Sequence, residues 1–92
     1  MYDVNYFIKK FEAIPEEMWT VEEFVDKNGC KCALGHCGST WKNGSTEESI
    51  SLARLFRYWV DGINDGRNEL YQQATPKQRI LAALNDVKNE RY

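Results

Sequence analysis

Three stretches of this chain set a helical apolar stripe directly behind a capping signal, and no other feature limits its fold as much. Asp3 precedes Val4, Phe7, Ile8 and Phe11, which fall at i, i+3, i+4 and i+7 with Lys9, Lys10 and Glu12 turned outward. Ser45-Thr46-Glu47-Glu48 has the form of a capping box, with Ser45 as N-cap and Glu48 at N3. Behind it, Ile50, Leu52, Ala53, Leu55, Phe56, Trp59 and Val60 form a broad apolar face. Thr75-Pro76-Lys77-Gln78 joins cap, N1 proline and N3 glutamine ahead of the stripe Ile80, Leu81, Leu84 and Val87. The spacing predicts main helices over about residues 4–13, 46–60 and 76–89, the middle one central.

Between them the pattern is shorter in period. Pro15 ends the first helix, and Pro15-Glu16-Glu17-Met18-Trp19 suits a single helical turn with acids at its start. Residues 20–26 read either way: Thr20-Val21-Glu22-Glu23 has capping-box form, yet Lys27-Asn28-Gly29 is a hairpin-type turn flanked by β-branched Val21 and Val25. A small hairpin, Val21–Asp26 against Gly29–Cys32, is the preferred reading, followed by a short helix over Ala33–Ser39. Asp61-Gly62-Ile63-Asn64-Asp65-Gly66 is dense in turn formers and reads as a loop continuing to Ala74. The expected fold is α+β and predominantly helical, with three main helices, a short helix at the Cys box and a minor β-hairpin in one domain over residues 1–92.

Composition bounds the function. Three Trp, five Tyr and four Phe let a 92-residue chain close a core with few side chains. Fourteen acidic residues against twelve Lys and Arg leave a net charge of −2 and no basic block, which disfavours broad nucleic-acid binding. The start of the chain lacks the basic and apolar regions of a secretion signal, and no apolar run reaches the length of a membrane span. Three crowded cysteines are an odd count that would close only trivial loops, so free thiols in a reducing cytoplasm are expected.

All cysteines and the one histidine lie within Cys30-Lys31-Cys32-Ala33-Leu34-Gly35-His36-Cys37. Cys30, Cys32, His36 and Cys37 are the right ligand types for zinc, but structural sites draw ligand pairs from separated segments, and on a helix Cys37 points away from Cys32. Cys32 at a helix start would have a lowered thiol pKa, with His36 one turn on and Asp65 or Asp61 to orient it. That histidine would lie beside the thiol, where a catalytic dyad needs it across a cleft. The bland reading makes Cys32 and Cys37 small buried hydrophobes. Asn64-Asp65-Gly66-Arg67 gathers amide, carboxylate and guanidinium on a glycine-flanked loop, against the alternative of an Asx-type turn with Gly66 at positive φ. Arg54 and Arg57, at i and i+3, form a solvated face or, with Arg67, an anion grip. Trp41 and Tyr71, in loops, are placed to stack on a ligand ring.

"CALGHCG" (Cys32–Gly38), "NDGR" (Asn64–Arg67) and "TPKQRILAAL" (Thr75–Leu84), with Trp19-Thr20 upstream, resemble in matching order an uncharacterised family of small bacterial and phage-encoded proteins. The resemblance brings no reaction, cofactor or catalytic residue. Many of its members lack a His or a second Cys after the box glycine, which favours Cys32 and Asp65 over Cys30, His36 and Cys37 as shared functional positions. Its phage setting implies, by analogy, an accessory or anti-defence factor in the host cytoplasm.

The function expected is that of a non-enzymatic binding protein acting on a protein or a small anionic ligand, with Asp65, Arg67, Arg57 and Trp41 lining the surface and no cofactor. A cysteine-dependent enzyme using Cys32 with His36, and a zinc-stabilised interaction module, are the competing readings. Oligomeric state is open; an exposed Trp59 or Phe56 would argue for a dimer.

Overall fold

In the computed structural model, which describes residues 2–90, the capping signals at both ends of the chain do what their chemistry demands. Met1, Arg91 and Tyr92 of the expected 1–92 domain lie outside the described residues. Helix α1 is Val4–Glu12, and the Asp3 carboxylate accepts a hydrogen bond from the Tyr6 N–H at 2.9 Å. Pro15 then leads into a 3-10 turn, Glu16–Met18. At the other end α5, Pro76–Lys88, is capped by Thr75, whose hydroxyl accepts from the Gln78 N–H at 3.1 Å. Helices α1 and α5 pack on each other, and their inner residues Phe7, Phe11, Ile80 and Leu84 are fully buried. Each such side chain contributes about 1.5–3 kcal/mol on burial.

The aromatic surplus is partly consumed in one ladder. Ring centroids follow from Tyr6 to Phe7 (5.1 Å), Phe11 (5.9 Å), Trp19 (5.3 Å) and finally His36 (4.8 Å). Tyr71, expected in a loop position open to a ligand, is buried, and its hydroxyl donates to Asp86 at 2.8 Å. Buried tyrosine finds a polar partner in this way because an unmet hydroxyl is expensive.

The middle of the chain departs from the sequence reading. Helix α3, Glu47–Leu55, starts one residue later than expected, with Thr46 as N-cap and Ser49 at N3 in a reciprocal box. Thr46 also donates to the Cys37 carbonyl at 2.6 Å, which fastens α3 to the preceding helix and selects Thr46 over Ser45. Glu48, freed from capping, accepts from the Tyr6 hydroxyl at 3.0 Å and pairs with Lys10 of α1.

The expected helix over 46–60 is two helices. Phe56 is extended (φ −101°, ψ 152°), and α4 begins anew at Val60 and ends at Asn64. The break turns Val60, Ile63 and Asn64 into the core, where α4 packs on α5 and on α2, Ala33–His36. The Asp61–Gly66 stretch, read as a loop, thus begins as helix and turns only at Gly66 (φ +81°).

No hairpin forms. Val25 and Lys31 make a single antiparallel bridge, and Trp19 and Lys31 a parallel one. The expected turn is present, with the Asp26 carboxylate accepting from the Asn28 and Cys30 N–H groups at 2.9 Å each. Its ladder stops because Glu22 adopts φ +66° and gives its N–H to Asp65. The result is a mostly helical fold with isolated bridges in place of a sheet. Among the described residues, no helix is long and apolar enough to cross a membrane.

Candidate functional site

The Cys box and the Asn-Asp turn, far apart in sequence, are bolted together by one amide. Asn64 is fully buried; its Oδ1 accepts from the Ala33 N–H at 3.0 Å, and its Nδ2 donates to the Thr20 carbonyl at 3.0 Å and to Asp65 Oδ1 at 2.8 Å. Its backbone carbonyl accepts from Arg79 Nε (3.2 Å) and Nη2 (2.8 Å). Asn64 therefore meets all its side-chain groups across the fold, where the sequence reading offered a local Asx turn. Asp65 Oδ1 also accepts from the Glu22 N–H at 3.0 Å, and this contact shapes the segment leading to Phe24.

Gly35 shows why the box needs a glycine. A Cβ there would lie 1.9 Å from the Phe24 carbonyl oxygen, so only a bare backbone lets α2 approach that strand-like segment. The approach seats Leu34 and Cys32 beside Phe24 and Trp41, whose rings are 4.8 Å apart.

These contacts frame a cleft of about 270 Å³. Phe24, Leu34, Cys32 and Trp41 form its apolar walls; Glu22, Glu23, Asp61, Asp65 and Arg67 supply its charge. The Arg67 fork spans Asp65 (3.2 Å) and Asp61 (3.5 Å). On the other side of Asp61 and Arg67 opens a shallower hollow of about 600 Å³, lined by Arg57, Tyr58, Trp59, Gly62 and Asn68. Of the four residues expected to line a binding surface, Asp65, Arg67 and Trp41 share the first cleft, and Arg57 stands in the second beside Arg67. Arg54 lines neither, lying instead in a groove with Leu34, Ile50 and Trp59.

The thiol and histidine are placed for packing. Cys32 is the N-cap of α2, and its Sγ accepts weakly from the Gly35 N–H at 3.4 Å. The thiol pKa is nevertheless raised, chiefly by burial and also by the Asp65 charge; a four-residue helix cannot outweigh that desolvation. His36 lies edge-on against Trp19, with Nε2 buried and without a hydrogen-bond partner. Burial, then the Lys31 charge, lowers its pKa to about 4. Cys37 is in the core, its thiol pushed up to about 12 by burial and by Glu48. Cys30 Sγ donates to the Glu17 carbonyl at 3.1 Å. All three thiols are free, and among the described residues no three His, Cys, Asp or Glu side chains gather as metal ligands would.

Sequence reasoning missed Phe24, and it placed Trp59 on a buried helix face, naming its exposure only as a mark of a dimer. Trp41 is 80% exposed and Trp59 85% exposed, and both flank the Leu34–Asp61 ridge. A signal was present for Trp59: the run Phe56-Arg57-Tyr58-Trp59-Val60 holds more adjacent bulky groups than one helix face can bury. Comparison with protein-family models, curated proteins and solved structures finds no match, so the resemblance to small phage-encoded proteins gains no support from them.

Proposed function

We propose that this chain is a non-enzymatic binding protein that recognises a protein partner through the face between Trp41 and Trp59. The observation that carries this reading is the exposure of both tryptophans beside one ridge, with Tyr58, Leu34 and Ile50 adding apolar surface around them. An indole buries about 150–250 Å² when covered, and leaving two of them in water forfeits that gain unless a partner covers them. Tryptophan, tyrosine and arginine are also the residues that dominate binding energy at interfaces, and Arg57 and Arg67 stand beside these aromatics.

Two features favour this reading over its competitors. Arg67 is engaged by two carboxylates, which weakens the case for a small anionic ligand in its cleft. Cys32 is buried with its thiol held protonated, and His36 is neutral and packed on Trp19, an arrangement suited to a core and poorly suited to a nucleophile and its base.

A photo-crosslinking amino acid placed at Trp59 or at Trp41, in cells expressing the full chain, tests the face. Adducts with one partner from both positions, and none from exposed Lys9 on α1, are the expected result. Equal adducts from Lys9, or none from either tryptophan, overturn it. An adduct of twice the chain mass, matched by a dimer in sedimentation, makes the occupant a second copy and overturns the separate-partner reading.

A further inference from the structure

We infer that the cleft beside Trp41 receives a basic side chain, lysine or arginine, carried by the partner's recognition segment; the inference rests on the protein-binding reading above. The cleft sets four carboxylates against one guanidinium. That guanidinium is already compensated by Asp61 and Asp65, so an entering group meets the field of Glu22 and Glu23. Both glutamates are exposed, and no cation among the described residues pairs with them. Low-dielectric walls of Phe24, Leu34 and Trp41 concentrate this negative potential, which attracts a cation and repels an anion.

Shape agrees with charge. At about 270 Å³ the cleft falls just below the range of about 300–1,000 Å³ used for drug-sized ligands, and it suits one extended side chain. Lysine and arginine lay their aliphatic stems on apolar surface while keeping the charged head polar. Here the stem covers Leu34 and the aromatic pair, and the head reaches the glutamates at the rim. The faces of Phe24 and Trp41, tilted 53° to one another, add cation–π attraction.

The test uses the full-length ¹⁵N-labelled protein and acetylated, amidated pentapeptides Gly-Ala-Xaa-Ala-Gly with arginine, lysine, leucine or glutamate at the centre. The arginine and lysine peptides should shift the backbone amides of Glu22, Glu23 and Phe24 and the Trp41 indole N–H saturably. Their affinity should exceed that of the leucine and glutamate peptides at least about tenfold and fall as salt rises through about 0.1 M. The double variant Glu22→Gln, Glu23→Gln should lose most of that preference with an unchanged melting temperature. Equal binding of the leucine peptide overturns the inference, as does a preference for glutamate with shifts at Arg57 and Asn68. If crosslinks form at Trp59 while the basic peptides show no preference, the occupant is wrong and the protein-binding face stands. If neither is seen, both fail.

Discussion

Replacing Asn64 with aspartate changes one atom's chemistry and almost none of its shape, which makes it a sharp test of how this fold is held. In the wild type, Nδ2 donates to the Thr20 carbonyl and to Asp65 Oδ1 at 3.0 and 2.8 Å. An oxygen in that place turns both hydrogen bonds into contacts between acceptors. Each buried group left unmet costs about 1–3 kcal/mol. A new carboxylate some 3 Å from Asp65 would add a repulsion of roughly 5 kcal/mol at an effective dielectric of 20, and the protein would limit this by protonating the site. Asn64→Asp should therefore lose about 3–6 kcal/mol at pH 7, a large share of the total for a chain of this size. The buried aspartate's folded pKa must rise above its unfolded value of about 3.9. Its penalty is then full at neutral pH and shrinks as pH falls through the raised value, when a proton restores one donor toward Asp65. Urea denaturation followed by tryptophan fluorescence at pH 7 and pH 4.5 measures both quantities, and the variant-minus-wild-type difference cancels the titrating groups that lie away from Asp65 and the substituted site. A loss below about 1 kcal/mol at pH 7 would refute the claim that this amide joins the Cys box to the Asn-Asp turn.

Gly35→Ala should destabilise by more than about 3 kcal/mol or prevent folding, although helix propensity alone favours alanine by about 1 kcal/mol. Thermal melts give the sign, which the 1.9 Å separation of an added Cβ from the Phe24 carbonyl oxygen dictates. His36 has its pKa lowered from 6.5 to about 4, so the unfolded state takes up its proton first, and stability is lost as pH falls from 6.5 toward 4. In His36→Phe, which keeps the ring on Trp19, the fall between pH 6.5 and 4.5 should shrink to the part that carboxylates such as Glu48 contribute; the wild-type-minus-variant difference in denaturant midpoints across that range decides it. With a thiol-reactive disulfide at pH 8, Cys30 should label fast and Cys32 and Cys37 only at the unfolding rate, since both are buried with raised thiol pKa values. Rapid labelling of Cys32 on the folded protein would reopen the cysteine-enzyme reading.

Local chemistry explains what could be read in advance. Asp3 and Thr75 cap their helices because cap, first-turn residues and apolar stripe lie within a few positions of one another. The same holds for the 3-10 turn after Pro15, the Asp26 turn and the positive φ of Gly66. In the site, Asp65, Arg67 and Trp41 were legible because charged and aromatic residues on turns suggest recognition. The exposure of Trp59 was legible only as a surplus of bulky groups over residues 56–60, because the helix expected to bury it breaks at Phe56 with neither glycine nor proline to announce the break.

By itself the sequence determined a predominantly helical chain with capped terminal helices, a turn between Asp26 and Cys30, and free cysteines flanking a short helix. Those features depend on groups within one or two turns of each other. Tertiary structure alone decided the break between α3 and α4, the loss of the hairpin, and the cleft beside Trp41. The lost hairpin and the cleft follow from contacts between distant residues, Glu22 with Asp65 and Asn64 with Ala33 and Thr20, and the break seats Val60, Ile63 and Asn64 in the core. A buried polar group must find its partner wherever the fold places one, and here that requirement overrode local propensity.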